Sequence, residues 1–249
     1  MVLCFDIGNT KTACALYDGN VLGGVIEYPT CEVVTAGLLR EKITQEMSQN
    51  TLKIDGMAFS SVVTQKNKEY MDFADNLNLN RIVKISPNCK LNVPLFYDLN
   101  TLGSDRIADI EEAHAEYGAN VVVVDIGTAI TFDVVKDGTF IGGVILPGLN
   151  SAFESLNKDT DAIKNVKFDV PADILGNNTA DCIKSGIYFG WIAMIEGLFR
   201  KVKVLHDKDF TLVLTGGCSQ ILSPHISIPH IVNKMLTLNG IYRIYRNNC

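Results

Sequence analysis

The chain has 249 residues, 47% of them hydrophobic, and a net charge of −6. That length exceeds the about 100–150 residues of a usual single domain and leaves room for two cores. The acidic balance, with no basic stripe, excludes nucleic acid as a partner.

The elements read in chain order as follows. Val2–Phe5 is a short buried strand; it runs into Asp6, which excludes a signal peptide or membrane span there. Lys11–Tyr17 and Val21–Ile26 are strands joined by Asp18-Gly19, a hairpin signal. Leu38, Leu39, Ile43 and Met47 predict a helix over Ala36–Met47. Gly56–Val63 is a strand, Asn67–Leu77 a helix and Arg81–Ile85 a short strand, and Pro87–Leu102 is loop-rich. Ser104–Tyr117 is a helix that Ser104 can cap and Gly118 can close. The four valines of Val121–Val124 predict a strand buried on both faces. A hairpin follows, Pro147-Gly148 breaks its last strand, and a helix runs to about Leu156. Asp159–Asn177 reads as a surface loop and Thr179–Val204 as a long helix. In that helix Gly186, Gly190 and Gly197 allow close packing, and Gly190, Glu196 and Gly197 interrupt its apolar stretch, so no membrane partner is expected. Thr211–Thr215 is a strand, and Leu236–Tyr245 a terminal helix expected to pack on the second half. The seven cysteines and four histidines are scattered, with no C-x-x-C; they read as reduced thiols of a cytoplasmic protein and as structural or surface histidines.

The chain repeats itself. Asp6–Ile26 (DIGNTKTACALYDGNVLGGVI) and Asp125–Ile145 (DIGTAITFDVVKDGTFIGGVI) align without a gap at an offset of 119 residues. Each copy is a strand ending in Asp-x-Gly, a tight turn and a hairpin. The repeat predicts two similar lobes, 1–118 and 119–249, with a cleft between them and an acid on each wall.

The turns carry the chemistry. In Asp6-Ile7-Gly8-Asn9-Thr10 the glycine lets backbone N–H groups approach phosphate oxygens, and Asn9, Thr10 and Lys11 add donors. Asp6 can meet phosphate only through Mg²⁺, usually by way of water. Asp125-Ile126-Gly127-Thr128 repeats the pattern. At the start of a helix, Gly103-Ser104-Asp105-Arg106 offers an anion site, with Asp105 able to accept a hydroxyl proton and Arg106 able to fork onto a carboxylate or phosphate. No G-x-x-x-x-G-K-[ST], strand-borne G-x-G-x-x-G or G-x-S-x-G is present, which disfavours P-loop, dinucleotide and serine-hydrolase readings.

In order along the chain, Asp6–Thr10, Gly103–Arg106, DIGTAITFD (125–133), Gly142-Gly143 with Pro147-Gly148, Asn178-Thr179 and Thr215-Gly216-Gly217 resemble type III pantothenate kinase. That family belongs to the acetate and sugar kinase, heat-shock chaperone and actin superfamily. The resemblance implies an α/β fold of two duplicated ribonuclease-H-like (actin-like ATPase) lobes. It implies transfer of the ATP γ-phosphoryl group to pantothenate, the first step of coenzyme A synthesis. By resemblance Asp105 is the general base. Asp6, Ile7, Gly8, Asn9, Thr10, Lys11, Thr12, Ala13 and Thr128 match ATP-binding positions. Tyr97, Gly103, Ser104, Asp105, Arg106 and Thr179 match pantothenate-binding positions. Asp125 is the expected ligand of a monovalent cation (K⁺ or NH₄⁺), Asp6 serves Mg-ATP, and the expected assembly is a homodimer. Thr160–Lys164 departs from the family pattern, lacking its Leu-Pro. The rival readings are a kinase for another small hydroxy-acid or sugar, a catalytically silent transcription accessory factor, and an ATPase or phosphatase in which water replaces the alcohol.

Overall fold

The computed structural model describes residues 1–35, 37, 41, 53–159 and 169–249. The helix expected over Ala36–Met47 falls, but for two residues, outside them, as do Thr160–Lys164 and part of the loop expected over Asp159–Asn177. The chain forms two units, one of Met1–Glu116 with Met235–Cys249 and the other of Tyr117–Lys234.

In the first unit, β1 (Val2–Ile7), β2 (Lys11–Asp18), β3 (Val21–Pro29), β4 (Gly56–Ser61) and β5 (Ile82–Lys84) form one sheet in the order β3-β2-β1-β4-β5. The β1–β2–β3 meander is antiparallel, and β4 and β5 join in parallel. Leu3, Phe5 and Ile7 alternate onto one face, where they meet Tyr70, Phe73 and Ala74 of α1 (Asn67–Asn76). Phe5 and Tyr70 stack edge to face at 5.0 Å. The second unit repeats the topology: β6 (Val121–Ile126), β7 (Ala129–Lys136), β8 (Thr139–Pro147), β9 (Thr211–Thr215) and β10 (Ile231–Val232) lie in the order β8-β7-β6-β9-β10. All four valines of β6 are buried, as the apolar run predicts. Here α3 (Leu149–Asp159) and α4 (Thr179–His206) cover the sheet. By length and composition α4 is apolar enough to cross a membrane, yet its Ile187, Tyr188, Ile192, Ile195 and Phe199 sit in this core. Both units are therefore ribonuclease-H-like α/β layers.

The structure revises the repeat at its turns. β2 begins at Lys11, after Gly8, Asn9 and Thr10, whereas β7 begins at Ala129, after only Gly127 and Thr128. The Gly8 N–H accordingly closes on the Lys11 carbonyl and the Gly127 N–H on that of Ala129. Beyond this point the structural offset is 118 residues, not the 119 of the sequence match. A one-residue slip reverses every side chain in a strand, so Thr12 faces the core like Ile130, while its letter-match Thr131 stands beside Asp125. The first hairpin also turns one residue later than expected. Asp18 still pairs with Val21, and Gly19-Asn20 makes the bend; in the second, Asp137 and Gly138 both adopt the left-handed backbone that a tight hairpin demands. Gly186, Gly190 and Gly197, expected to pack closely, have no described atom within 4 Å of where a Cβ would stand.

The terminal helix, α6 (Leu236–Asn248; α5 being the single turn Ser219–Leu222), joins the first unit and not the second as expected. It packs on β1 and β4 and against α2 (Ser104–Tyr117). Thr237 donates to Asp109 at 2.7 Å, and Arg243 pairs with Glu112 and Glu116 at 2.7 and 2.9 Å. An amphipathic pattern names the face a helix buries but not the sheet that receives it. At Gly240 a Cβ would overlap the backbone of Ala108. Gly240→Ala should therefore lower stability by about 1–3 kcal/mol, its overpacking outweighing the gain in helix propensity. An unfolding midpoint at or above the parent's would contradict this contact.

Candidate active site

Asp6 is the penultimate residue of β1, beside Ala13 on β2 and Ser60 on β4. The Ser60 hydroxyl hydrogen-bonds the Asp6 carboxylate and lies 3.0 Å from Ser104 Oγ. Ser104 opens α2, but its hydroxyl does not cap that helix as expected. It accepts from the Ser61 N–H at 2.9 Å and so docks the helix start onto the end of β4. Gly103 supplies the first helical carbonyl, to the Ile107 N–H. Asp105 folds back so that Oδ1 accepts from the Arg106 N–H at 2.8 Å, and a Cβ on Gly103 would strike that oxygen. A side chain at position 103 would displace that carboxylate from the Arg106 N–H.

The two acids feel each other. Burial raises the Asp6 carboxyl most, the charge of Asp105 adds to it, and the Ser60 hydrogen bond opposes them, leaving it at about 7. Burial also raises Asp105, against the Arg106 N–H and guanidinium. Arg106 is itself buried, with its guanidinium 5.2 Å from the centre of the Tyr97 ring and Nη1 3.4 Å from the Tyr97 hydroxyl. The loop carrying Tyr97 is tethered by Glu111, a buried carboxylate that accepts from the Asn92 and Val93 N–H groups at 2.7 Å.

Of the other first-unit residues singled out by sequence, Gly8, Asn9, Thr10 and Lys11 form an accessible turn, with Lys11 3.3 Å from Glu27. The side chains of Ile7 and Thr12 are fully buried and serve the core, and Ala13 is partly covered. Asp6, the turn, Ser104, Asp105, Arg106 and Tyr97 all belong to the first unit.

The second unit holds Asp125 at the end of β6, in register with Thr131 on β7 and Thr215 on β9. Among the described residues the buried hydroxyls of Thr131 and Thr215 have no hydrogen-bond partner. Gly216 has φ +84°, and a Cβ there would overlap Asp125 Oδ1. Thr128 is exposed, and its carbonyl accepts from Gly148 N–H at 3.0 Å and Ser151 Oγ at 2.9 Å. Thr179 is exposed at the start of α4, where Asn178 caps through the Asp181 N–H at 3.0 Å.

Sequence reasoning missed Ser60, Ser61, Glu111 and Thr30, a buried residue whose hydroxyl donates to the Gly8 carbonyl at 2.8 Å. Serine and threonine next to strand ends are too common to stand out, and only the parallel β1–β4 register puts Ser60 beside Asp6.

The raised Asp6 carboxyl has a measurable consequence for the ligand-free protein. The folded state holds this proton more tightly than the unfolded chain does. Its contribution to stability is therefore complete below the ordinary carboxylate range and is lost as pH rises through about 7. Asp6→Asn should raise the melting temperature at pH 8 by about 2–8 °C, the equivalent of about 1–2 kcal/mol, and change it little at pH 4. An equal effect at both pH values would show that Asp6 carries no such strain.

The family model for type III pantothenate kinase matches residues 2–201. A curated type III pantothenate kinase of Jannaschia sp. (strain CCS1) is 32% identical over 253 residues, covering all of this chain and 98% of that protein. One from Myxococcus xanthus (strain DK1622) is 29% identical over 253 residues, covering 100% and 99%. Among solved structures, a Campylobacter jejuni protein described as a Baf family transcriptional activator superposes with a TM-score of 0.63 at 21% identity, covering 99% of this chain and 98% of that one. Component A of the Acidaminococcus fermentans (R)-2-hydroxyglutaryl-CoA dehydratase gives 0.54 at 14%, covering 99% and 95%. These two share the fold. The family model spans most of the chain and a relative above 30% identity spans all of it, so the chain belongs to the type III pantothenate kinase family.

Proposed function

We infer that the protein transfers the γ-phosphoryl group of ATP to the primary hydroxyl of pantothenate, giving 4′-phosphopantothenate in the first step of coenzyme A synthesis. Family membership supports ATP as the donor and pantothenate as the acceptor. The observation that carries the chemistry is the coupled pair Asp6–Asp105, joined through Ser60 and Ser104.

Phosphoryl transfer asks an enzyme for alignment and charge neutralisation more than for covalent chemistry. Asp105 is the base that takes the hydroxyl proton, and the burial that raises its carboxyl makes it a better acceptor. Arg106, steadied by Tyr97, suits the pantothenate carboxylate, with Gly103 and Ser104 beside it; Thr179, in the second unit, is assigned to pantothenate by the family resemblance alone. Residues 6–13 and Thr128 serve ATP. In the first, Asn9, Thr10 and Lys11 act directly, and Ile7 and Thr12 support the turn from the core.

Two ions belong to this reading. Mg²⁺ favours carboxylate, water and phosphate oxygens, and Asp6 suits it as a water-mediated partner. A monovalent cation suits Asp125, whose neighbours Thr131 and Thr215 offer two buried hydroxyl oxygens otherwise without a partner among the described residues. A homodimer in the cytoplasm completes the proposal.

The protein should release ADP only when pantothenate is present, and faster in potassium or ammonium than in sodium buffer. Hydrolysis without pantothenate would favour the water-accepting ATPase, and a folded protein with no turnover would favour the silent accessory factor. Asp105→Asn should lower kcat by about 10²–10⁴-fold while ATP still binds. A folded variant with near-parental kcat would remove Asp105 from the role of base.

A further inference from the structure

Thr30 stands immediately after β3 and is 5% exposed. It grips the Gly8–Thr10 turn twice. Its hydroxyl donates to the Gly8 carbonyl at 2.8 Å, and its N–H donates to the Thr10 carbonyl at 3.0 Å. A hydroxyl has one proton, and that of Thr30 goes to Gly8. Thr12 is therefore the donor in the 3.0 Å contact between Thr12 Oγ1 and Thr30 Oγ1. Thr12 in turn bonds the Tyr70 hydroxyl, which lies 2.9 Å from that of Tyr28. A chain of buried hydroxyls thus runs from the core to the underside of the turn.

A turn that receives phosphate must present N–H groups and hide C=O groups, because a carbonyl oxygen facing an anion repels it. Rotating one peptide plane exchanges the two. Thr30 holds two carbonyl oxygens of this turn against the buried side and so blocks that rotation. We propose that Thr30 is a positioning residue for the nucleotide, setting the turn's affinity for phosphate by holding the Gly8 and Thr10 carbonyls away from the anion. The inference rests on the reading that this turn receives the phosphates of ATP.

Thr30→Val keeps the shape and removes the hydroxyl, whereas Thr30→Ser keeps the hydroxyl. In the full-length protein, Thr30→Val should raise the KM for ATP about tenfold, the size expected for a lost hydrogen bond that orients a charged ligand. The KM for pantothenate should not change, and Thr30→Ser should restore the parental value. Competition of ATP and of adenosine against a fluorescent ATP analogue gives the sharper readout. Thr30→Val should reduce the preference for ATP over adenosine by the same factor, because adenosine has no phosphate for the turn to sense. Gly240→Ala, destabilised elsewhere in the same unit, should keep the parental preference. If Thr30→Val does not fold, Thr30→Ala takes its place. An unchanged ATP-to-adenosine ratio in a folded variant would overturn the role of Thr30, as would an equal loss for both ligands. A parental protein that binds ATP no better than adenosine would instead overturn the reading of the turn, and this inference with it.

Discussion

The first unit's chemistry depends on one hydroxyl. Ser60 bonds the Asp6 carboxylate and touches the Ser104 hydroxyl, which the Ser61 N–H holds in place. Through these contacts the end of a strand, its parallel neighbour and the start of a helix meet at one point. The parallel register sets the junction, since a slip of one residue along β4 would turn Ser60 to the opposite face. It brings two acids close enough to raise the Asp6 proton affinity, which costs stability in the empty protein. A buried acid raised by a second acid is the kind of strain that functional sites hold.

Much of this was legible in the chain because the signals are local. Asp-x-Gly after an apolar run, four valines in succession, and Gly118 with φ +99° at the end of α2 each carry a short-range cause that sequence displays. What escaped was non-local. The gapless repeat concealed a turn one residue shorter in the second copy, because matching letters do not report which residues pair across strands. Ser104 has the chemistry of a helix cap, but a strand 43 residues earlier competes for its oxygen. The apolar face of α6 was visible and its destination was not. The supporting residues Thr30, Ser60 and Glu111 come from three separate segments, and nothing in their spacing announces that they converge on the turn, the acid and the Tyr97 loop.

The two copies of the Asp-x-Gly turn have become different objects. The first is longer and accessible, with its carbonyls gripped from beneath by Thr30. The second is shorter and tied down. Gly148 and Ser151 bind the Thr128 carbonyl, and Gly216 lies so close to Asp125 that no side chain fits there. The first turn is held through its Gly8 and Thr10 carbonyls, whereas the second is tied through the Thr128 carbonyl to the start of α3. The difference lies in one residue of turn length and in the glycines and hydroxyls placed around each copy.

The return of α6 to the first unit also bears on how the molecule comes into being. Cys4 and Tyr17 are buried, and α6 packs on the strands that carry them. During synthesis on the ribosome those strands emerge early and wait uncovered until residues 235–249 follow. The second unit, continuous in the chain, has its last element available before α6 emerges. Birth order and completion order are therefore reversed: the half that is made first is the half that is finished last.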